Sequence, residues 1–292
     1  MDAHAVIDFG GAGPPLHFAH ANGYPPEAYA PLLTRLTPHY HVRAARLGPL
    51  RSSRNLASLK SWQPLVDDLE ADLLAQGAQG WVGVGHSLGA MLTTTVALRW
   101  PDMFSALVLI EPVLLSLRLL SVWNLLRWAG LARAAHPLIP GALRRRRHFA
   151  GADEMFTRYR QAPIFGRIDD AGLRAYVDAL AQPAPGGGVT LSYPPEWEVA
   201  IYATGPMNLW GRLGRLKPPV LVVRGQETDT LRPAAVRRLR RTLPNAHVVE
   251  VPHTGHLAPL EAPAAVAEAT LTFLKDKQGQ PGPRISTHGA KG

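Results

Sequence analysis

The 292 residues, 46% hydrophobic and 18% charged, suffice for one globular domain with a sizeable core and room for an insertion. With no cysteine, disulfides, cysteine-metal sites and thiol catalysis are excluded, and the formal charge of +9, mostly arginine, fits anionic partners and a GC-rich coding bias equally. The N-terminus has an early acid and no long apolar run, and no stretch of about 20 uncharged apolar residues occurs, so neither a secretory signal nor a spanning helix is expected.

Residues 4–9 and 15–20 read as the first two strands, with a turn over 10–15. The second strand runs into Ala21-Asn22-Gly23-Tyr24-Pro25-Pro26, where Gly23 permits an unusual backbone angle and the two prolines restrict the backbone beyond it. A glycine-bearing loop at a strand end can present a backbone N–H, which Tyr24 would supply. His20, at the strand end, is read as a hydrogen-bonded structural residue rather than a catalytic one. Residues 27–36 suit a short helix, 40–46 a strand and 51–59 a polar loop. Ser61 can cap a helix that carries Pro64 in its first turn. Leu65, Leu69 and Leu73 lie on one side of it, and Asp67, Asp68, Glu70 and Asp72 mostly elsewhere.

The chain is organised around Trp81-Val82-Gly83-Val84-Gly85-His86-Ser87-Leu88-Gly89-Ala90-Met91-Leu92. A short apolar run ends in Gly-x-Ser-x-Gly, and small and apolar residues continue at helical spacing. That pattern predicts a strand, a very tight turn and a helix, with Ser87 at the apex in a strained conformation. Gly85 and Gly89 let strand and helix approach closely. The Leu88 N–H lies at a helix N-terminus, where negative charge is favoured.

Residues 104–110 form a continuous apolar run, the sign of a strand covered on both faces, and stop at Glu111-Pro112. The alternation of strands and helices predicts an α/β fold, a doubly wound and mostly parallel sheet with ligands at the carboxyl ends of its strands. From Val113 to about Lys217 the alternation breaks, with no strand pattern. A helix over 113–131 is apolar nearly all round, so it is expected to be buried as the wall of a greasy pocket. The run Arg144-Arg145-Arg146-Arg147 is read as a solvated face. A helix over 169–180 and a flexible break at 183–188 come next, and the whole reads as a helical insertion over the mouth of the sheet. The sheet resumes at 220–225, a helix covers 233–242, and 247–251 is the last strand. A loop with His253 and His256 leads to a closing helix over 263–274, and 275–292 is expected to be disordered.

Ser87 in Gly-His-Ser-Leu-Gly, then Asp229 after a strand, then His256 after the next strand, resembles the chain order of the α/β-hydrolase fold superfamily. The likeness covers 1–112 and 218–274 as the core, with 113–217 where such proteins carry a variable cap. It implies that Ser87 is a nucleophile, His256 its base and Asp229 the acid that orients the histidine. Asn22-Gly23-Tyr24-Pro25 looks like the superfamily's oxyanion loop, with Asn22 where His is commonest, and the Tyr24 and Leu88 amides would be the oxyanion donors. A serine nucleophile separates the chain from the superfamily's dehalogenases and epoxide hydrolases, which use Asp. Two residues compete for roles. His253 lies three residues before His256 but fits the pattern less well. Glu111, one strand after the nucleophile, occupies a place some relatives use for the acid, and Pro112 should restrict it to extended geometry.

The expected function is therefore a serine hydrolase, esterase- or lipase-like, that cleaves an acyl ester of a small apolar substrate through an acyl-enzyme. It would need no metal or cofactor and bind no nucleic acid, with no stable membrane insertion, in the cytoplasm and in an open oligomeric state. The alternatives are a C–C bond or thioester hydrolase of the same fold, or a non-catalytic member whose basic lid binds lipid or a protein partner.

Overall fold

A computed structural model describes residues 5–51, 55–77 and 79–278. Strands β1 (Val6–Gly10), β2 (Pro15–Ala19), β3 (His41–Ala45), β4 (Trp81–His86) and β5 (Phe104–Ile110) come first. The short strands β6 (His148–Phe149), β7 (Ala181–Pro183) and β8 (Val189–Leu191) are next, and β9 (Val220–Gly225) and β10 (His247–Val251) close the set. The central sheet runs β1-β3-β2-β4-β5-β9-β10; β1 is antiparallel to β3 and every other neighbouring pair is parallel. This is the doubly wound sheet that the alternation of elements predicts. β4 and β9 are buried at every residue and β5 at all but Ser105, which is why they read as unbroken apolar runs.

The helices that cover the sheet form where the apolar spacing places them. Gln63–Ala75 carries Pro64 in its first turn, Ser61 Oγ accepts from the Gln63 N–H at 3.2 Å, and Leu65, Leu69 and Leu73 are buried. Residues 27–36 resolve into a 3₁₀ turn, Pro26–Tyr29, and one α-helical turn, Ala30–Leu33. Arg51, at the start of the expected polar loop 51–59, is buried and donates to Asp72 at 2.6 Å, while residues 52–54 of that loop lie outside the described residues. The closing helix, Pro263–Gln278, runs four residues into the stretch expected to be disordered; the remainder, 279–292, lies outside the described residues.

The segment between β5 and β9 departs most from expectation. It holds helices Leu117–Trp128, Ala152–Arg160, Asp170–Leu180 and Pro195–Thr204, but also a small antiparallel sheet, β6-β8-β7. The supposed flexible break at 183–188 is the turn of a hairpin between β7 and β8. Strands of two or three residues are too short to show an alternating pattern. The helix expected to be buried on all sides is not. Leu120 and Trp123 face inward, while Leu117, Leu119, Val122, Leu125 and Trp128 are exposed. Among the described residues only its inner face has a partner, and Trp123 Nε1–H there donates to the Gly205 carbonyl.

Candidate active site

The site is built at the carboxyl ends of β4, β5 and β9. Ser87 follows β4 and precedes helix Leu88–Arg99, with φ 52° and ψ −111°, a region costly for a residue with a side chain. The neighbours make this turn possible. A Cβ on Gly85 would lie 2.6 Å from the Ala90 nitrogen, and one on Gly89 only 2.0 Å from the Ala19 carbonyl oxygen. Strand, helix and the adjacent β2 therefore touch backbone to backbone, and the serine hydroxyl is turned out of the sheet.

His256 sits in the loop after β10 and meets the serine. Its Nε2 is 2.9 Å from Ser87 Oγ, and its side chain keeps 28% of its exposure. His253 is exposed at φ 57° and its backbone N–H bonds to Gln226, so of the two histidines it is His256 that lies beside Ser87. The Gly255 N–H donates to Glu261 at 2.6 Å, which pins the loop just before His256.

The carboxylate on the other side of the ring is that of Glu111 and not that of Asp229, the residue expected there. His256 Nδ1 donates to Glu111 Oε2 at 3.1 Å. Asp229 is exposed; its carboxylate accepts from Thr230 at 3.2 Å, and its backbone carbonyl from Arg232. The cause lies in two local geometries. Glu111 does not take the extended backbone expected before Pro112 but turns at φ 48°, which sends its side chain across to β9. There the Gly225 N–H donates to Oε1 at 2.7 Å and the Thr228 hydroxyl to Oε2 at 2.5 Å. The β9 loop thus contributes Thr228 to hold the Glu111 carboxylate and carries Asp229 outward. Glu111 is fully buried, and all three of its partners are donors, as a buried carboxylate requires. With a carboxylate at Nδ1, the ring proton sits on Nδ1, and Nε2 is left to accept from the serine.

A second buried chain of hydrogen bonds supports the first. The Ala21 N–H donates to Tyr29 Oη at 3.2 Å, the Tyr29 hydroxyl to His86 Nδ1 at 2.7 Å, and His86 Nε2–H to the His256 carbonyl at 2.9 Å. Burial and the neighbouring His256 ring hold the His86 pKa well below its ordinary value, so it stays neutral. His20 is structural, as expected: Nδ1–H donates to the Ala21 carbonyl and Nε2 accepts from the Leu47 N–H, and burial lowers its pKa to about 4.

Of the two expected oxyanion donors, Leu88 N–H opens its helix and has no acceptor within it. The Tyr24 N–H points across its own turn to the Ala21 carbonyl at 3.3 Å, a long and weak bond. The segment after β5 holds this loop in place. Tyr176 stacks on Tyr24 and donates to the Gly23 carbonyl, and Asn22 is fixed by Tyr193 Oη and the Glu198 carbonyl.

A cavity of about 540 Å³ opens beside Tyr24, lined by Arg145, Tyr159, Phe165, Tyr176 and Glu198 among others. Its lining is apolar and aromatic, with Leu138, Ile164 and Phe165 beside the charged Arg145 and Glu198, and residues 113–131 do not contribute to it. Arg145 is not the solvated arginine that its run suggests, for it is largely buried, ion-paired to Glu198 and bonded to Tyr159 at 3.1 Å and Tyr176 at 2.5 Å. Arg146 and Arg147 do lie outside, paired with Glu154 and Glu196.

Sequence and fold comparisons place the chain in a family. Residues 18–269, most of the chain, match the alpha/beta hydrolase family. The chain belongs to that family. Solved structures of similar fold include E-2-(acetamidomethylene)succinate hydrolase (TM-score 0.76, 20% identity, 92% of this chain and 94% of that one). A thioesterase domain from the curacin biosynthetic pathway matches at TM-score 0.72 and 21% identity, over 91% and 94% of the two chains. An esterase from Thermogutta terrifontis matches at 0.63 and 21%, over 94% and 93%. At these identities the likeness concerns the fold. The alpha/beta hydrolase fold explains why the elbow and the last loop are legible in the sequence. Glu111's partners at Gly225 and Thr228 carry no sequence motif, and only a nearby hydroxyl, Thr228 beside Asp229, hints at them.

Proposed function

We propose that this alpha/beta hydrolase is a serine hydrolase that cleaves acyl esters through an acyl-enzyme, with Ser87, His256 and Glu111 as its triad. The observation that carries this reading is the unbroken line from Ser87 Oγ to His256 Nε2 at 2.9 Å and from Nδ1 to Glu111 at 3.1 Å. Ser87 Oγ attacks the acyl carbon while its proton passes to His256 Nε2. Glu111 keeps the ring in the required tautomer and stabilises the imidazolium that forms. The oxyanion is met by the Leu88 N–H, and by the Tyr24 N–H once it exchanges its weak bond to Ala21 for the substrate. Each such donor contributes about 3 kcal/mol in comparable sites. The tetrahedral intermediate collapses, and the leaving alcohol takes the proton from Nε2. Water then repeats the sequence on the acyl-enzyme and regenerates Ser87.

The segment 113–217 acts in this reading as the cap, with 1–112 and 218–274 as the hydrolase core. Treatment with an alkyl fluorophosphonate, followed by peptide mass mapping, tests the proposal. One adduct at Ser87 is expected, with parallel loss of p-nitrophenyl ester turnover, and Ser87→Ala should remain folded, unlabelled and inactive. Labelling at another serine, or turnover by the alanine variant, would overturn it.

A further inference from the structure

The helix Leu117–Trp128 exposes an apolar face that the hydrolase chemistry does not use. Arg118, Val122 and Leu125 succeed one another at spacings of four and three. Leu117, Ser121 and Trp128 form the neighbouring row, so these side chains share one side of the helix. Leu125 is 63% exposed and Trp128 86%, and Leu131 just beyond the helix is 53% exposed. The opposite face is anchored by buried Leu120 and Trp123, and Ser116 Oγ caps the first turn by accepting from the Leu119 N–H at 3.3 Å. The apolar face is therefore preformed in the folded chain. Contiguous exposed side chains of this size mark an interaction surface.

The charge around the face says which kind. From Val113 to Arg133, the stretch that holds the helix and its exit, the sequence carries Arg118, Arg127 and Arg133 and no acid. Arg118 lies on the exposed face itself, with no ion-pair partner among the described residues, and exposed Arg133 comes just after the helix, whereas Arg127 falls on the inner row of Leu120 and Trp123. A second copy of the chain would set these cations against their own counterparts, which opposes self-association. We propose that this face docks in the plane of an anionic lipid membrane. Leu117, Val122, Leu125 and Trp128 would enter the headgroup and acyl boundary, and Arg118 and Arg133 would meet lipid phosphates. A tryptophan at the edge of an apolar face suits that boundary, where ring and N–H find different surroundings. The helix is about 18 Å long and so lies on the bilayer rather than across it. Among the described residues no helix is long and apolar enough to cross a membrane.

Co-sedimentation of the full chain with vesicles tests this, using phosphatidylcholine alone and phosphatidylcholine mixed with phosphatidylglycerol. The chain should bind the mixed vesicles and lose that binding as salt is raised. The surface variants Leu125→Ser/Trp128→Ser and Arg118→Gln/Arg133→Gln should each bind about tenfold more weakly or worse. Both should keep the native turnover of a small water-soluble ester, since none of these residues belongs to the site at Ser87; that assay also keeps this outcome separate from the hydrolase assignment. No binding to the mixed vesicles, or binding that both variants retain, would overturn the proposal. So would a concentration-dependent dimer that Leu125→Ser/Trp128→Ser abolishes while vesicle binding is absent.

Discussion

Ser87 and Glu111 end neighbouring parallel strands, and both leave them with positive φ, 52° and 48°. The Ser87 N–H donates to the Ile110 carbonyl at 2.9 Å, and the Glu111 N–H to that of Val223 at 2.8 Å, so each turn starts from an intact ladder. Two strained turns side by side aim a hydroxyl and a carboxylate at opposite nitrogens of one imidazole. Strain of this kind persists only where the surroundings over-determine it, and here the buried sheet does so.

The neutral buried histidines make stability depend on pH. Burial lowers His17 to about 3 and His20 to about 4, and His86 lies well below its ordinary value. In the unfolded chain each titrates near 6.5. Between about 6.5 and 4 the unfolded state therefore binds more protons, and stability falls as pH falls. The slope approaches ~1.4 kcal/mol per pH unit for each histidine. His17 makes the cleanest test, because its Nε2 is without a hydrogen bond and its ring packs edge-on against Trp81. Urea titrations from pH 7.5 to 5 should show a shallower loss in His17→Leu than in the native chain. Equal slopes would contradict the assignment.

The Arg145–Glu198 pair should behave as a buried ion pair. Removing either partner leaves an uncompensated charge, and Arg145→Met or Glu198→Gln should each cost about 3–5 kcal/mol. Replacing both, as Arg145→Met/Glu198→Met, should cost less than either single change. Because Tyr176 bonds both Arg145 and the Gly23 carbonyl, the single variants should also lower kcat by disturbing the loop that carries Tyr24. Thermal unfolding and steady-state kinetics on the three variants check both points.

The parts of the molecule that can be read from the sequence are those that leave a pattern. Continuous apolar runs fix β5 and β9 to the residue, and Gly-His-Ser-Leu-Gly fixes Ser87 at the elbow because only glycines fit at positions 85 and 89. The acid is not legible. Its choice depends on a left-handed turn at Glu111 and on donors at Gly225 and Thr228, which meet only once β5 and β9 lie side by side. Position after a strand favours Asp229, yet four residues of loop carry that side chain into solvent. The helix Leu117–Trp128 misleads for another reason. A sequence apolar on all sides implies burial only if every side has a partner within the chain, and its outer side has none among the described residues.

The central claim is that Glu111 orients His256, and kinetics of Glu111→Gln and Asp229→Asn on one soluble ester test it most directly. Gln is isosteric, yet its amide cannot hold Nδ1–H and Nε2 in the required tautomer as a carboxylate does. Glu111→Gln should lower kcat by about 10⁴-fold with little change in KM, as loss of the orienting carboxylate does in serine hydrolysis generally. Asp229→Asn should stay within about threefold of the native value, since its carboxylate is exposed and among the described residues is bonded only to Thr230. The reverse ranking would contradict the account and return the role to Asp229.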